Sequence, residues 1–120
     1  MSKEKIFIFD TTLRDGAQTE GVNFSIDDKN KIAKALSVLG VDYLEGGWPG
    51  ANTLYTNFFA NPPDLENTLL TAFGMTKKVG RSAENDPGLS ALLNTKAPAI
   101  CLVGKSWDFH VDIALGITKE

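Results

Sequence analysis

Four short apolar runs, each followed by polar or helix-forming sequence, recur along this chain and leave few folds open to it. Residues 6–9 set four large apolar side chains in a row, Ile6, Phe7, Ile8 and Phe9. Such a run has no polar face, which predicts a strand buried on both sides. Residues 41–45, 69–73 and 99–103 read as the second, third and fourth strands. A polar, glycine-containing loop occupies residues 10–23, and the first helix signal follows it. Ser25 with Asp28 three residues on resembles a capping box, and Asp27 and Asp28 stand at the positive end of the helix dipole. Ile32, Leu36 and Leu39 recur at spacings of four and three, which predicts one buried stripe, and Gly40 is the expected stop. A shorter helix is predicted over residues 52–60, ended by Asn61-Pro62-Pro63. Asp86-Pro87 suits an N-cap and first turn, with Leu89, Leu92 and Leu93 as the buried stripe. Ser106 is expected to cap a last helical segment running through Ala114.

Strands alternating with helices over short links imply a parallel sheet with helical crossovers. An open doubly wound domain satisfies that pattern, and so does part of a (β/α)8 barrel, which takes about 250 residues. Both architectures place ligands beyond the carboxyl ends of the strands. By that rule Asp10, Arg14, Asp15 and Gln18 after the first strand are expected to meet Glu45 and Trp48 after the second. Lys105, Ser106, Trp107, Asp108 and His110 after the fourth are expected on the same face. Asp10 and Glu45 stand at predicted strand ends, which fixes a side chain better than a loop does.

The adjacent Arg14-Asp15 pair offers two chemistries. A guanidinium polarises a carbonyl or holds a developing oxyanion while staying charged at any working pH. A carboxylate ligates a divalent cation, but one is too few for a closed site, and no His-x-His or Cys-x2-Cys spacing accompanies it. From the residues alone, Asp15 reads equally as a turn residue or as a ligand. His110 reads as a packing or hydrogen-bonding residue at a helix start. Trp48 and Trp107 suit either an active-site wall or packing at the sheet's rim.

Composition removes several classes of partner. The net charge of -3 and dispersed basic residues disfavour a nucleic-acid backbone, and Lys77, Lys78 and Arg81 read as a solvated turn. No apolar stretch approaches the roughly 20 residues that span a bilayer, so no membrane partner is expected. The single cysteine, Cys101, excludes an internal disulfide and reads as a buried, inert thiol. With no secretory signal in the N-terminal residues, a cytoplasmic location is expected, and the sequon at Asn23 carries no weight.

The segment Asp10-Thr11-Thr12-Leu13-Arg14-Asp15-Gly16-Ala17-Gln18 resembles the signature of the DRE-TIM metallolyase superfamily. Residues 42–50 and 104–111 resemble its citramalate synthase branch, while residues 55–67 are less typical. The resemblance implies an α/β fold, the N-terminal portion (about four βα units) of a TIM (β/α)8 barrel. It implies an acyltransferase condensing acetyl-CoA with a 2-keto acid such as pyruvate, with 2-isopropylmalate synthase or a related lyase as the alternative. A divalent metal (Mg2+, Mn2+ or Zn2+) is the implied cofactor. Carried over by position, Asp15 is the metal ligand, Arg14 binds the keto carbonyl and stabilises the alkoxide, Gln18 lines the substrate pocket, and Glu45 holds Arg14. Residues 1–120 are expected to form a single partial domain, with the rest of the barrel and a regulatory region absent. Such a half-barrel is expected to be inactive alone and to self-associate as a homo-oligomer through uncovered strand edges. Thr118 reads as the N-cap of a helix lying beyond residue 120.

Overall fold

The computed structural model describes residues 2–119. Its strands are β1 (Phe9–Asp10), β2 (Tyr43–Gly47), β3 (Leu69–Met75) and β4 (Ala99–Val103), all parallel and in the order β1-β2-β3-β4. The helices between them are α1 (Ile26–Leu39), α2 (Thr53–Ala60) and α3 (Pro87–Leu93), and a wide π-type segment (His110–Leu115) follows β4.

The helix boundaries follow their capping chemistry. Ser25 and Asp28 close a full capping box, and Gly40 ends α1 in the left-handed region at φ 98°. The side chain of Asn52 accepts from Tyr55 N to start α2, and Asp86 accepts from Gly88 N and Leu89 N to start α3. The buried row of α1 is Lys29, Ala33 and Ser37, with Ile32 and Leu36 packed beside it. Leu39 lies about 120° round the helix from Ala33 at about 100° per residue, and it is exposed rather than buried. Leu93 likewise faces solvent, one residue off the row that buries Leu92.

Residues alternate across the sheet. Leu44, Leu70 and Ala72 face the helices, where they meet Ala33, Phe58, Phe59 and Leu92 in one apolar core. Glu45 pairs across the sheet with Thr71, and Phe73 pairs with Cys101, so these residues share the opposite face. That face carries the chemistry.

The first strand departs from expectation. Its ladder is short, and Ile6, Phe7, Ile8 and Phe9 are 43–82% exposed. β1 is an edge strand, and nothing among the described residues covers its outer side. Glu45 also differs, standing at the centre of β2 rather than at its end. The last helical segment begins at Phe109 as its N-cap, with no side-chain cap from Ser106.

Candidate functional site

The loop after β1 is a compact knot of backbone bonds. The carbonyl of Thr11 accepts from the N–H groups of Arg14, Asp15 and Gly16 at 3.2, 2.8 and 3.1 Å. The Asp10 carboxylate accepts from the Thr12 N–H at 2.9 Å and the Thr12 hydroxyl at 3.1 Å. Asp10 therefore braces the turn it begins. Leu13, fully buried, pins the loop into the core, and the next side chain emerges on the other face of the sheet.

That side chain is Arg14, whose Nε donates to Glu45 Oε1 in a short contact. The Glu45 carboxylate is buried, and the guanidinium lies 4.2 Å from the centroid of the Phe73 ring. Trp48 stands edge-on to the same ring at 5.3 Å. A buried carboxylate without its cation is strongly destabilising, so the pair holds itself together. The ring offers the guanidinium a cation–π face and limits its tilt. Glu45 thus occupies Nε, while the terminal nitrogens make no hydrogen bond among the described residues, the side chain being 19% exposed. Asp15 reaches outward instead, 67% exposed, with Oδ1 3.6 Å from Arg14 Nη1.

Two further groups surround the pair. Cys101 is half-buried rather than fully buried, and burial followed by the negative charge of Glu45 raises its pKa. It stays a thiol, as expected of an inert cysteine. Lys29 was not among the residues singled out from sequence. It is fully buried, and its Nζ donates to the carbonyls of Leu13 at 3.0 Å and Gly46 at 2.5 Å. The rings of Tyr55 and Phe58 lie 4.7 and 4.8 Å from the ammonium, and burial pushes its pKa down to about 8. Its spacing of four from Ala33 and eight from Ser37 was the available signal. A charged residue on the inward row of a helix is easily read as solvated.

The other expected residues are not gathered in. Gln18 ends the short 3-10 turn Gly16–Gln18 and is exposed, with no side-chain hydrogen bond among the described residues. Trp107 meets His110 edge-on at 4.6 Å and lies tilted against Phe109 at 5.0 Å, an aromatic cluster beyond β4 with Trp107 and Phe109 exposed. Asp108 pairs with Lys119 at 3.1 Å. None of these makes a hydrogen bond or ion pair with Arg14, Asp15 or Glu45 among the described residues. Lys77, Lys78 and Arg81 face solvent, as expected.

Asp15 suits a hard divalent cation chemically, since it presents exposed carboxylate oxygens. The described residues contain no group of three or more ligating side chains, so they supply at most part of a metal site. Among them, no helix is long and apolar enough to cross a membrane.

Comparison with known proteins agrees with this geometry. The HMGL-like family model matches residues 5–120. An (R)-citramalate synthase of Aquifex aeolicus is 46% identical over 119 residues, and one of Streptomyces coelicolor is 48% identical over 120 residues. A 2-isopropylmalate synthase of Staphylococcus epidermidis is 61% identical over 118 residues. Each alignment takes in 98% of this chain and 22% of the relative, so the chain spans about a fifth of these proteins' length. Four parallel strands alternating with helices, an Arg-Asp loop after the first strand and a match over nearly every residue agree: the chain belongs to the HMGL-like DRE-TIM family and forms an N-terminal part of its (β/α)8 barrel.

Proposed function

We propose that these residues are the opening part of an acyltransferase barrel that condenses acetyl-CoA with a 2-keto acid, pyruvate being the substrate and citramalate the product. The observation that carries this reading is the guanidinium of Arg14, held by buried Glu45 and backed by Phe73, with Asp15 in a looser ion pair at Nη1 and no hydrogen bond at either terminal nitrogen among the described residues. Those nitrogens suit a planar 2-keto acid, whose carboxylate and carbonyl oxygens lie side by side. As the acetyl-CoA carbanion adds to the keto carbon, negative charge gathers on its oxygen, and a fixed guanidinium stabilises it without reorganising. Glu45 holds the guanidinium at the correct angle. Asp15 would contribute one oxygen to a divalent cation, which would supply Lewis-acid chemistry when bound, and Gln18, which stands exposed away from the ion pair, is assigned to the pocket by the family resemblance alone. A cytoplasmic location and homo-oligomeric assembly complete the proposal; for the 120 residues alone, the exposed apolar strip at residues 6–9 supports self-association.

The test is coenzyme A release from acetyl-CoA by the complete barrel containing this sequence, with pyruvate and Mn2+. The 120 residues alone are proposed to be inactive. Absence of pyruvate-dependent release from the complete protein refutes the reading. The Staphylococcus epidermidis relative favours a second reading, 2-isopropylmalate synthesis, because it is 61% identical under that name. Product analysis with pyruvate against 2-ketoisovalerate separates the two.

A further inference from the structure

Lys29 has no part in the chemistry proposed above, yet it is the most costly side chain in the core to have buried. Its stem rises from the first turns of α1, and its ammonium ends between two carbonyls from different elements. One belongs to Leu13, in the loop after β1. The other belongs to Gly46, in β2. The chain neighbours of these two residues are Arg14 and Glu45, the ion pair of the site.

We propose that Lys29 is a positioning residue: by tying the Leu13 carbonyl to the Gly46 carbonyl, it sets the register at which Arg14 meets Glu45. The geometry of the surroundings supports this. The tied Leu13 carbonyl belongs to the peptide bond that joins Leu13 to Arg14, and Gly46 directly follows Glu45, so a slip of the loop moves the guanidinium directly. Tyr55 and Phe58 close over the ammonium and exclude water that would otherwise replace its bonds. No carboxylate forms an ion pair with Lys29 among the described residues, which leaves the two carbonyls as its chief partners. A lysine kept only for stability has no need to bridge these two elements, since an apolar side chain of the same length fills the space at lower cost.

The kinetic part of the test rests on the function proposed above, and the spectroscopic part does not. Lys29→Met keeps the stem and removes the donors. In the protein, Arg14 Nε–H is followed by 15N NMR, where its bond to Glu45 slows exchange and the Phe73 ring shifts the resonance. The expected result is loss of both the slowed exchange and the ring shift, with the far-ultraviolet spectrum unchanged. In the complete enzyme, kcat is expected to fall about 100-fold, the scale of a misplaced catalytic group, while KM for acetyl-CoA stays near the wild-type value. Lys29→Arg, which keeps the charge and two donors, is expected to recover part of both signals. If Lys29→Met does not fold, Lys29→Gln takes its place, since its shorter amide cannot bridge both carbonyls and should also weaken the Arg14 signature. A folded Lys29→Met or Lys29→Gln protein with the wild-type Arg14 resonance overturns the proposal. Wild-type protein lacking acyltransferase activity refutes the function alone and leaves the NMR comparison in force.

Discussion

Gly46 occupies a tight place beside the site, and replacing it with alanine tests the packing that positions β2. A methyl group there would stand 2.8 Å from Phe58 Cε1, 2.9 Å from Leu70 Cδ1 and 3.1 Å from Phe59 Cζ. All three neighbours are buried in the core, so none swings out into solvent. Gly46 is not among the glycines with positive φ, so the cost is one of space, not of backbone strain. Overpacking of this kind costs about 1–3 kcal/mol, and three walls place it in the upper half of that range. Replacing glycine within a strand returns about 0.5–1 kcal/mol of backbone entropy, leaving a net loss of about 1–2 kcal/mol. Urea unfolding followed by tryptophan fluorescence should show a lower midpoint with an unchanged slope. Leu70→Ala alone should cost about 2–5 kcal/mol through the cavity it leaves. In the double variant the new methyl enters that cavity, so the two losses should fall short of additivity by about 1–2 kcal/mol. Strict additivity, or a Gly46→Ala loss below about 0.5 kcal/mol, would refute the packing argument.

Arg14→Lys in the complete enzyme should lower kcat about 100-fold despite keeping the charge, because an ammonium cannot hold Glu45 and substrate together. Unchanged steady-state turnover would remove Arg14 from its proposed role. Asp86 is held below the ordinary aspartate pKa, first by the backbone N–H of Lys78 and then by those of Leu89 and Gly88. A carboxyl lowered on folding contributes stability above its unfolded pKa of 3.8 and loses it as pH falls through the folded value. Acid titration of Asp86→Asn, monitored by circular dichroism, should therefore show a smaller stability loss below pH 4 than wild type. Lys29 gives the opposite window. Burial lowers its pKa from 10.5 to about 8, so the unfolded chain binds the extra proton between those values and stability should rise with pH across them. At about 1.4 kcal/mol per unit, wild type should gain about 3 kcal/mol relative to Lys29→Met between pH 8 and 10.5. A flat difference in denaturant midpoints would exclude this.

The legible parts of the fold were those decided by local bonds. Ser25, Asn52 and Asp86 cap their helices within three residues of themselves, and Gly40 ends α1 by its own backbone freedom. β4 falls on the residues expected of it. The errors arose where neighbours in space decide burial. Leu39 and Leu93 satisfy a helical spacing, but the sheet presses on a different row of each helix. Residues 6–9 read as buried because they are apolar, and they are exposed because their strand lies at the sheet's edge. Cys101 reads as buried and is only half-buried, and its neighbour Glu45 comes from a strand two places away in the sheet order.

By itself, the sequence determined the βα order, the turn chemistry and the adjacency of Arg14 and Asp15, since each depends on residues a few positions apart. The tertiary structure decided that Arg14 meets Glu45 across 31 positions and lies on Phe73, while Gln18 and the residues after β4 stay apart. It also drew Lys29 inward to join Leu13 and Gly46. Such contacts depend on where parallel strands and a crossover helix converge, and no spacing along the chain records that convergence.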